Sequence, residues 1–176
     1  MELTQSMKNA LISAAAAIGT DPEWLRRLIY FETARTYDPQ ITNPNTGAIG
    51  LIQFMDSAAQ DLGFDRAADL AARWPDFESQ LQNAVVPWLK RYGPYPTEQS
   101  LYMQVFYPAA RSWDPLKPFS DSVQAANPGI KTPADYISLV NGSIAKAAKA
   151  AAQIGGSALA VIAAILGAIF FLKSRG

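Results

Sequence analysis

The chain has 176 residues, of which 49% are hydrophobic and 17% are charged, and it contains no cysteine and no histidine. A chain of this length and composition buries a hydrophobic core, which excludes the disordered class. The lack of cysteine and histidine excludes disulfides, thiol chemistry and imidazole catalysis. We therefore expect no cofactor and no metal, with any catalysis performed by carboxylates, hydroxyls, amides or amines.

Acidic and basic residues are unevenly distributed along the chain. Residues 1–142 carry 11 basic and 15 acidic side chains, whereas residues 143–176 carry 4 basic side chains and no acidic ones. Neither part combines basic clusters with interleaved aromatic residues, as nucleic-acid-binding chains do. The pattern favours a glycan or small-molecule partner for the first part, no nucleic acid, and a separate role for the C-terminal part.

A first helix is predicted near the N-terminus, where apolar residues recur at helical spacing, at Leu3, Met7, Leu11, Ala14 and Ile18. The spacing indicates a helix that packs on the core of the domain. The stretch LISAAAAIG at residues 11–19 also has the length of a short signal-peptide core, which is the alternative interpretation.

A second helix is predicted over residues 22–34, because Asp21 is a good N-cap and the proline after it fits the first helical position. On this helix Glu32 lies four residues after Leu28 and three after Ile29. Residues at this spacing share a helix face. The carboxyl group of Glu32 is therefore predicted to be half buried near the C-terminal end of the helix.

The rest of the chain up to residue 140 is predicted to be helical apart from two long loops. Turn residues are dense in residues 37–50, and residues 113–129 contain three prolines. Predicted helices occupy residues 55–62, 66–74, 76–92, 98–107 and 133–140, and Pro87 is expected to kink or divide the third of them. The first 140 residues are thus predicted to form a mainly α domain with at most a small irregular sheet.

The C-terminal part contains a run of 19 uncharged residues at positions 154–172. With a helical rise of about 1.5 Å per residue, this run spans roughly 28 Å, close to the bilayer's hydrocarbon core of about 30 Å. We predict one transmembrane helix in contact with the lipid bilayer, with a buried core helix as the alternative. The predicted organisation is a domain at 1–140, an alanine-rich linker at 141–153, the span at 154–172 and a basic tail at 173–176.

Several sequence features occur in the order found in one enzyme family. Glu32-Thr33 ends a predicted helix, a turn-rich loop follows, and the sequence GAIGLIQFM occupies residues 47–55. This arrangement resembles the lytic transglycosylases of the soluble (SLT) type, members of the lysozyme superfamily that cleave the glycan strands of peptidoglycan. The pattern A-x-x-L-G at residues 59–63 is also similar to the family's. The resemblance covers roughly residues 21–63 and implies an α+β lysozyme-like fold.

The resemblance implies roles for residues at the end of the second helix and in the GAIGLIQFM stretch. The family's catalytic glutamate, usually followed by serine, corresponds to Glu32 followed by Thr33. Its Gly-Leu-Met-Gln motif is similar to the G-L-I-Q of this chain, which ends at Gln53. Glu32 is therefore expected to be catalytic. Gln53, Thr33 and the backbone around Ile52 and Met55 are expected to hold the sugar.

The turn-rich loop and a later tyrosine supply two further expected contacts. Where the family has a serine before a proline, this chain has Asn43 before a proline, and an amide donates to a sugar as well as a hydroxyl does. The family's Ala-Tyr-Asn motif is similar to the F-Y-P around Tyr107. The resemblance implies that Tyr107 orients Glu32 by a hydrogen bond, with Tyr102 or Tyr92 as alternatives.

Glycoside cleavage requires an acid, and a carboxyl serves near neutral pH only when burial raises its pKa from about 4.3. The apolar face that carries Glu32 suits this role. Hydrolysis by two carboxylates needs a second one across the bond, for which Asp38 and Asp56 are nearest in sequence. The resemblance implies instead that one glutamate acts as acid and then as base. The substrate's C6 hydroxyl attacks with help from its N-acetyl group, giving a 1,6-anhydro product.

These observations favour a membrane-anchored peptidoglycan lytic transglycosylase that cleaves the MurNAc–GlcNAc β-1,4 bond. The small size and the single C-terminal span suggest a bacteriophage enzyme that penetrates the cell wall locally as the phage enters or leaves its host. It would be anchored in a virion membrane or the bacterial inner membrane, beside other membrane or virion proteins, and act on the periplasmic cell wall. A bacterial secretion or conjugation system is the rival source. Two alternative functions are a hydrolase of the goose-type lysozyme kind and a non-catalytic wall-binding or membrane-tunnel structural protein.

Overall fold

The computed structural model describes residues 2–142, and this part of the chain is mainly helical, as predicted. The first helix, α1, is Gln5–Ile18. It begins after Thr4, whose side chain accepts a hydrogen bond from the Met7 N–H, and it ends at Gly19, which has the left-handed conformation. Its buried face packs against the second helix, which confirms the predicted packing helix.

The second helix, α2, is Pro22–Glu32, and its bounds place Glu32 at the very end. The carboxylate of Asp21 caps it by accepting hydrogen bonds from two backbone N–H groups of the first turn. The helix ends two residues before the predicted position because Ala34 and Arg35 have φ angles of 50° and 70°. These left-handed residues cannot continue a right-handed helix.

The later elements follow the predicted positions closely, with one exception. They are α3 Asp56–Gln60, α4 Ala67–Arg73, α5 Phe77–Gln80, a π-helical segment Leu81–Val85, α6 Val86–Lys90, α7 Glu98–Phe106, a 3₁₀ turn Pro108–Ala110 and α8 Asp121–Ala126. Residues 133–142 form the last described helix, α9. The exception is α8, because residues 113–129 were predicted to be a loop. Its prolines flank the six residues of α8 and do not interrupt them.

The π-helical segment explains how the chain accommodates Pro87. Proline has no N–H, and in a regular α-helix its ring collides with the carbonyl group four residues earlier. In the segment before it, the Val86 N–H bonds to the carbonyl of Leu81, five residues earlier, which is the wider π-helical spacing. The predicted kink or division therefore takes the form of a π-helical segment within a continuous helix.

The turn-rich loop after α2 is held by two isolated antiparallel bridges, Thr42 with Ile49 and Ile49 with Phe54. Ile49 and Phe54 exchange two backbone hydrogen bonds of 3.0 and 2.8 Å. Residues 2–142 contain no longer strand. The expected small irregular sheet is therefore reduced to these bridges, which bend the GAIGLIQFM stretch back on itself.

The core of the described domain is organised around α7. Every residue of this helix from Ser100 to Phe106 is buried. A helix that is enclosed on all sides lies at the centre of its domain and has neighbours all round. α7 contacts α2 on one side and continues into the 3₁₀ turn on the other, so it links the helix that carries Glu32 to the region of Tyr107.

The membrane prediction falls outside the part of the chain that the structure describes. Within residues 2–142, no helix is both long and apolar enough to cross a bilayer. The predicted span at 154–172 and the basic tail at 173–176 lie beyond the described residues, as does the linker from residue 143 onward. The helix α9 continues to residue 142, past the predicted domain boundary at 140, and the Asn141 side chain there accepts a hydrogen bond from Arg27.

Two glycines of the GAIGLIQFM stretch differ in what surrounds them, although both have positive φ, 74° at Gly47 and 88° at Gly50. A Cβ atom at Gly50 would overlap the carboxamide oxygen of Gln80, whereas one at Gly47 would meet nothing within 4 Å. Gln80 is held in place, because its Oε1 accepts from the Leu51 N–H at 2.7 Å and its Nε2 donates to the Pro39 carbonyl at 2.9 Å.

These surroundings predict unequal costs for the same substitution. Gly47→Ala is expected to lower the free energy of unfolding by about 1 to 2 kcal/mol, the cost of a left-handed alanine. Gly50→Ala is expected to cost about 3 to 5 kcal/mol, because it adds a steric clash in a close-packed interior. Urea unfolding of the two variants measures the difference, and equal losses would contradict the proposed rigidity of the Gln80 contact.

Candidate active site

Glu32 is more deeply buried than predicted, since its exposed fraction is 2%. It shares the inner face of α2 with Leu28 and Ile29, which are fully buried. A carboxyl group in such surroundings is costly unless hydrogen bonds compensate for the lost water. The site is therefore defined by the groups that contact this side chain.

The hydroxyl of Tyr136 donates a hydrogen bond to Oε1 of Glu32 at 2.7 Å. Tyr136 lies in α9, 104 residues later in the chain, and it is completely buried. Its ring stacks on Phe106 with centroids 4.3 Å apart, and it meets the edge of Phe31 at 5.6 Å. The two rings fix the orientation of Tyr136, so its hydroxyl holds the carboxyl group of Glu32 in one position.

Tyr136 keeps its proton at neutral and moderately alkaline pH. Complete burial raises its pKa well above the ordinary tyrosine value, and the charge of Glu32 and the hydrogen bond to it raise the pKa further. A phenol that stays protonated can act only as a donor toward the carboxylate that accepts its hydrogen bond. The Tyr136 hydroxyl therefore keeps the proton that it donates to Oε1 of Glu32 throughout this range.

The tyrosine observed to donate to Glu32 is thus Tyr136, and no hydrogen bond between Tyr107, the tyrosine predicted for this role, and Glu32 is seen in the described part of the chain. Tyr107 follows α7, where its ring packs against two other aromatic rings at 5.5 and 5.8 Å. The two alternatives are engaged elsewhere. The Tyr102 hydroxyl donates to Glu98 and to Asn141, and the Tyr92 hydroxyl donates to Asp61.

The sequence contains a signal for Tyr136 that lies outside the motifs similar to those of the family. Thr132 and Asp135 cap the start of α9, and Tyr136 and Val140 follow on one face, four residues apart and both fully buried. A tyrosine on a buried helix face needs a partner for its hydroxyl. A half-buried carboxyl group elsewhere in the chain needs a donor, so the two requirements could have been matched.

Gln53 lies where the GAIGLIQFM stretch turns, with a φ of 52° and an exposed fraction of 2%. Its Nε2 donates to the carbonyl groups of Ile41 and Gly50 at 3.2 and 3.1 Å. The side chain thus holds two parts of the loop together, and it also lines a large cavity. Its expected contact with a sugar stays a prediction, while its contribution to loop structure is observed.

A cavity of about 800 Å³ lies between the GAIGLIQFM stretch, the end of α7 and α8. Four of its lining residues are aromatic, namely Phe54, Trp88, Phe106 and Tyr107. Four of the residues predicted to bind substrate line it, namely Ile52, Gln53, Met55 and Tyr107. Phe106 connects the cavity to the buried carboxyl group, because its ring lines the cavity and stacks on Tyr136.

The polar groups of the cavity are neutral. They come from carboxamides and hydroxyls, at Gln53, Gln104, Ser57, Ser120, Ser122 and Tyr107, and none of the described lining residues is Asp, Glu, Lys or Arg. A cavity of this kind offers hydrogen bonds and apolar contact without attracting an ion. It suits an uncharged ligand with hydroxyl or amide groups.

Thr33 and Asn43 occupy structural positions close to the site. The Thr33 hydroxyl donates to the Ile29 carbonyl at 2.7 Å and accepts from the Tyr37 N–H at 2.9 Å, which secures the turn after Glu32. The Asn43 side chain accepts from the Asn45 N–H at 2.9 Å. Both residues are buried, and neither is among the described residues that line the cavity. Their expected contacts with a sugar stay predictions.

Asp38 and Asp56, the two candidates for a second catalytic carboxylate, make hydrogen bonds that stabilise local structure. Asp38 accepts a hydrogen bond from the Gln40 N–H, and Asp56 accepts one from the Ala67 N–H, both at 2.8 Å. Neither is among the cavity-lining residues of the described chain. The arrangement therefore offers one buried carboxyl group, that of Glu32, which is not among the cavity-lining residues of the described chain but is linked to the neutral cavity through Tyr136 and Phe106.

Burial raises the pKa of Tyr95, Tyr102 and Tyr136. In the unfolded chain tyrosine loses its proton near pH 10, so above this pH the unfolded state binds fewer protons than the folded state. The stability from these tyrosines is complete below about pH 10 and falls as the pH rises further, by up to about 1.4 kcal/mol per pH unit for each tyrosine. Tyr136→Phe removes one of the tyrosines whose pKa burial raises, a set that also includes Tyr37, and is expected to reduce the slope. Urea unfolding between about pH 9 and pH 11 measures it, and equal slopes for both proteins would contradict the assignment.

The chain matches no family model, no curated protein and no solved structure in the three comparisons made with known proteins. The geometry of the site and the motifs of the sequence are therefore the basis for any function assigned to it.

Proposed function

We propose that the protein is a peptidoglycan lytic transglycosylase with Glu32 as its single acid and base. The observation that carries this proposal is the Glu32 carboxyl group, which is buried, held by the Tyr136 hydroxyl and connected through Phe106 to a neutral aromatic cavity. The resemblance of residues 21–63 to SLT-type enzymes supports the same assignment independently of the geometry.

The cavity suits a glycan in both size and chemistry. Its volume of about 800 Å³ lies within the range of ligand sites, which is roughly 300 to 1,000 Å³. Aromatic rings such as those of Trp88 and Tyr107 offer flat apolar surfaces to the C–H faces of sugar rings. The carboxamides and hydroxyls between them offer partners for sugar hydroxyl and acetamido groups. Peptidoglycan strands combine these features along an uncharged sugar backbone.

The reaction that the resemblance implies needs only one protein carboxyl group. Glu32 gives its proton to the glycosidic oxygen as the bond between the two sugars breaks. The resulting carboxylate then takes the proton of the substrate's C6 hydroxyl while that oxygen bonds to the anomeric carbon. The 1,6-anhydro sugar forms without consuming water, and the proton of Glu32 is restored. The neutral lining of the cavity accords with this scheme, because a two-carboxylate mechanism needs a second acid across the bond.

Tyr136 is a positioning residue in this scheme. The hydrogen bond to Oε1 restricts rotation of the Glu32 side chain and so keeps the carboxyl group oriented before the substrate arrives. Glu32 is only 2% exposed and is not among the described residues that line the cavity, so the proposal requires the side chains between them to move when the glycan binds. Enzymes commonly gain the tight geometry of their reactive complex only when substrate is bound.

The proposed cellular setting is a membrane next to the cell wall. The uncharged run at 154–172 would anchor the enzyme in a virion membrane or in the bacterial inner membrane, with the catalytic domain on the periplasmic cell wall. Such an enzyme opens the peptidoglycan locally. We propose a bacteriophage protein that performs this task as the phage enters or leaves its host.

Glu32→Gln tests the catalytic role directly. The amide keeps an acceptor for the Tyr136 hydroxyl but cannot transfer a proton, so clearing of purified peptidoglycan is expected to fall by about 100-fold to 10,000-fold. The assay measures the turbidity of a peptidoglycan suspension with the full-length chain in mild detergent. Glu2→Gln, at an exposed position, is the matched control and is expected to retain full activity. Equal clearing by the wild type and Glu32→Gln would contradict the proposal.

Tyr136→Phe and Tyr107→Phe separate the two tyrosine roles. Loss of the hydrogen bond to Glu32 is expected to lower kcat about tenfold or more with little change in KM, because the binding surface is retained. Tyr107→Phe removes a hydroxyl at the cavity wall, so it is expected to affect KM more than kcat. Steady-state kinetics on soluble glycan fragments measure both. The reverse assignment, with kcat lost only in Tyr107→Phe, would contradict the geometry.

A further inference from the structure

Gln104 is a buried glutamine whose side-chain oxygen has no hydrogen-bond partner among residues 2–142. It lies in α7, its exposed fraction is 3%, and it lines the cavity. Its Oε1 is buried and accepts no hydrogen bond within the described part of the chain. Buried polar groups in folded proteins are nearly always bonded, so each exception calls for an explanation.

A second buried glutamine illustrates what a purely structural role looks like in this fold. Gln80 is fully buried, and its Oε1 accepts from the Leu51 N–H while its Nε2 donates to the carbonyl groups of Pro39 and Trp74. Such a residue stabilises the fold by joining separate segments. The Gln104 oxygen accepts no hydrogen bond from residues 2–142, and an apolar side chain of the same size would be less costly at this position.

The residues around Gln104 indicate which chemical group of a ligand could bond to its Oε1. The partner must be a donor, because Oε1 only accepts hydrogen bonds. Apolar side chains line the same cavity beside it, including Val105, Phe106, Val123 and Ala126, and no charged residue does so among the described ones. An acetamido group combines an N–H donor with a methyl group. A sugar hydroxyl supplies a donor but no apolar part.

We propose that Gln104 is a substrate-binding residue whose Oε1, buried in the protein alone, turns toward the cavity and accepts a hydrogen bond from the acetamido N–H of an N-acetylated sugar bound there. The inference rests on the proposed function, because it takes the cavity to be the glycan site. It assigns to Gln104 the recognition of the N-acetyl substituent, which distinguishes the sugars of peptidoglycan from unsubstituted glucose polymers.

The test compares Gln104→Met with the wild type, because methionine is close to glutamine in size but lacks the acceptor. The probes are the β-1,4-linked tetramer of N-acetylglucosamine and the β-1,4-linked tetramer of glucose, added to the full-length chain in mild detergent. Calorimetry measures both affinities. The wild type is expected to prefer the acetylated tetramer. Gln104→Met is expected to bind it about five- to tenfold more weakly, with little change for the glucose tetramer. Gln5→Met, an exposed substitution of the same kind, is expected to change neither.

Thermal unfolding separates a binding role from a structural one. Gln104→Met is expected to unfold at the same or a higher temperature than the wild type, whereas Gln80→Met is expected to unfold at a lower one. A loss of stability in Gln104→Met equal to that in Gln80→Met would overturn the proposal.

The binding outcomes distinguish this inference from the proposed function. Equal affinity of the wild type and Gln104→Met for the acetylated tetramer overturns the Gln104 assignment and leaves the proposed function standing. Equal weakening for both tetramers overturns the acetamido assignment, because it indicates a hydroxyl donor. Failure of the wild type to bind either tetramer overturns the glycan cavity and with it both proposals.

Discussion

The hydrogen bond between Tyr136 and Glu32 is the interaction on which the site depends. It joins α9 to α2 across 104 residues of sequence, with α7 at the centre of the same domain. Each group needs the other, because a buried carboxyl group and a buried phenol are both costly without a partner. The ring of Phe106 stacks on Tyr136 and lines the cavity. Assembly of the core therefore also links the carboxyl group to a cavity-lining residue, Phe106, through the ring of Tyr136.

The local sequence predicted the position and burial of Glu32, because both depend on helix geometry. Asp21 caps α2, and the spacing of Glu32 from Leu28 and Ile29 follows from helical geometry, so the burial of the carboxyl group was foreseeable. The identity of its partner was not predicted, because the contact with Tyr136 is tertiary. Motif similarity favoured Tyr107, which lines the cavity.

The GAIGLIQFM stretch shows a similar division between local and tertiary information. Its glycines indicate a backbone with positive φ, and the φ angles of Gly47 and Gly50 agree. The docking of Gly50 against Gln80 could not be foreseen, because Gln80 is 30 residues later and belongs to α5. The amide of Gln53 likewise donates a hydrogen bond within its own loop, and the residue also lines the cavity. The stretch thus forms one wall of the cavity, and contacts with other elements, such as α5, hold it in place.

We propose that one carboxyl group, Glu32, cleaves the glycan while the substrate supplies its own nucleophile. The most direct test is mass spectrometry of the fragments that the full-length protein releases from purified peptidoglycan. Attack by the substrate's own C6 hydroxyl predicts fragments that end in 1,6-anhydro sugars. Fragments that end in ordinary reducing sugars would contradict it, because water would then be the nucleophile and a different catalytic arrangement would be required.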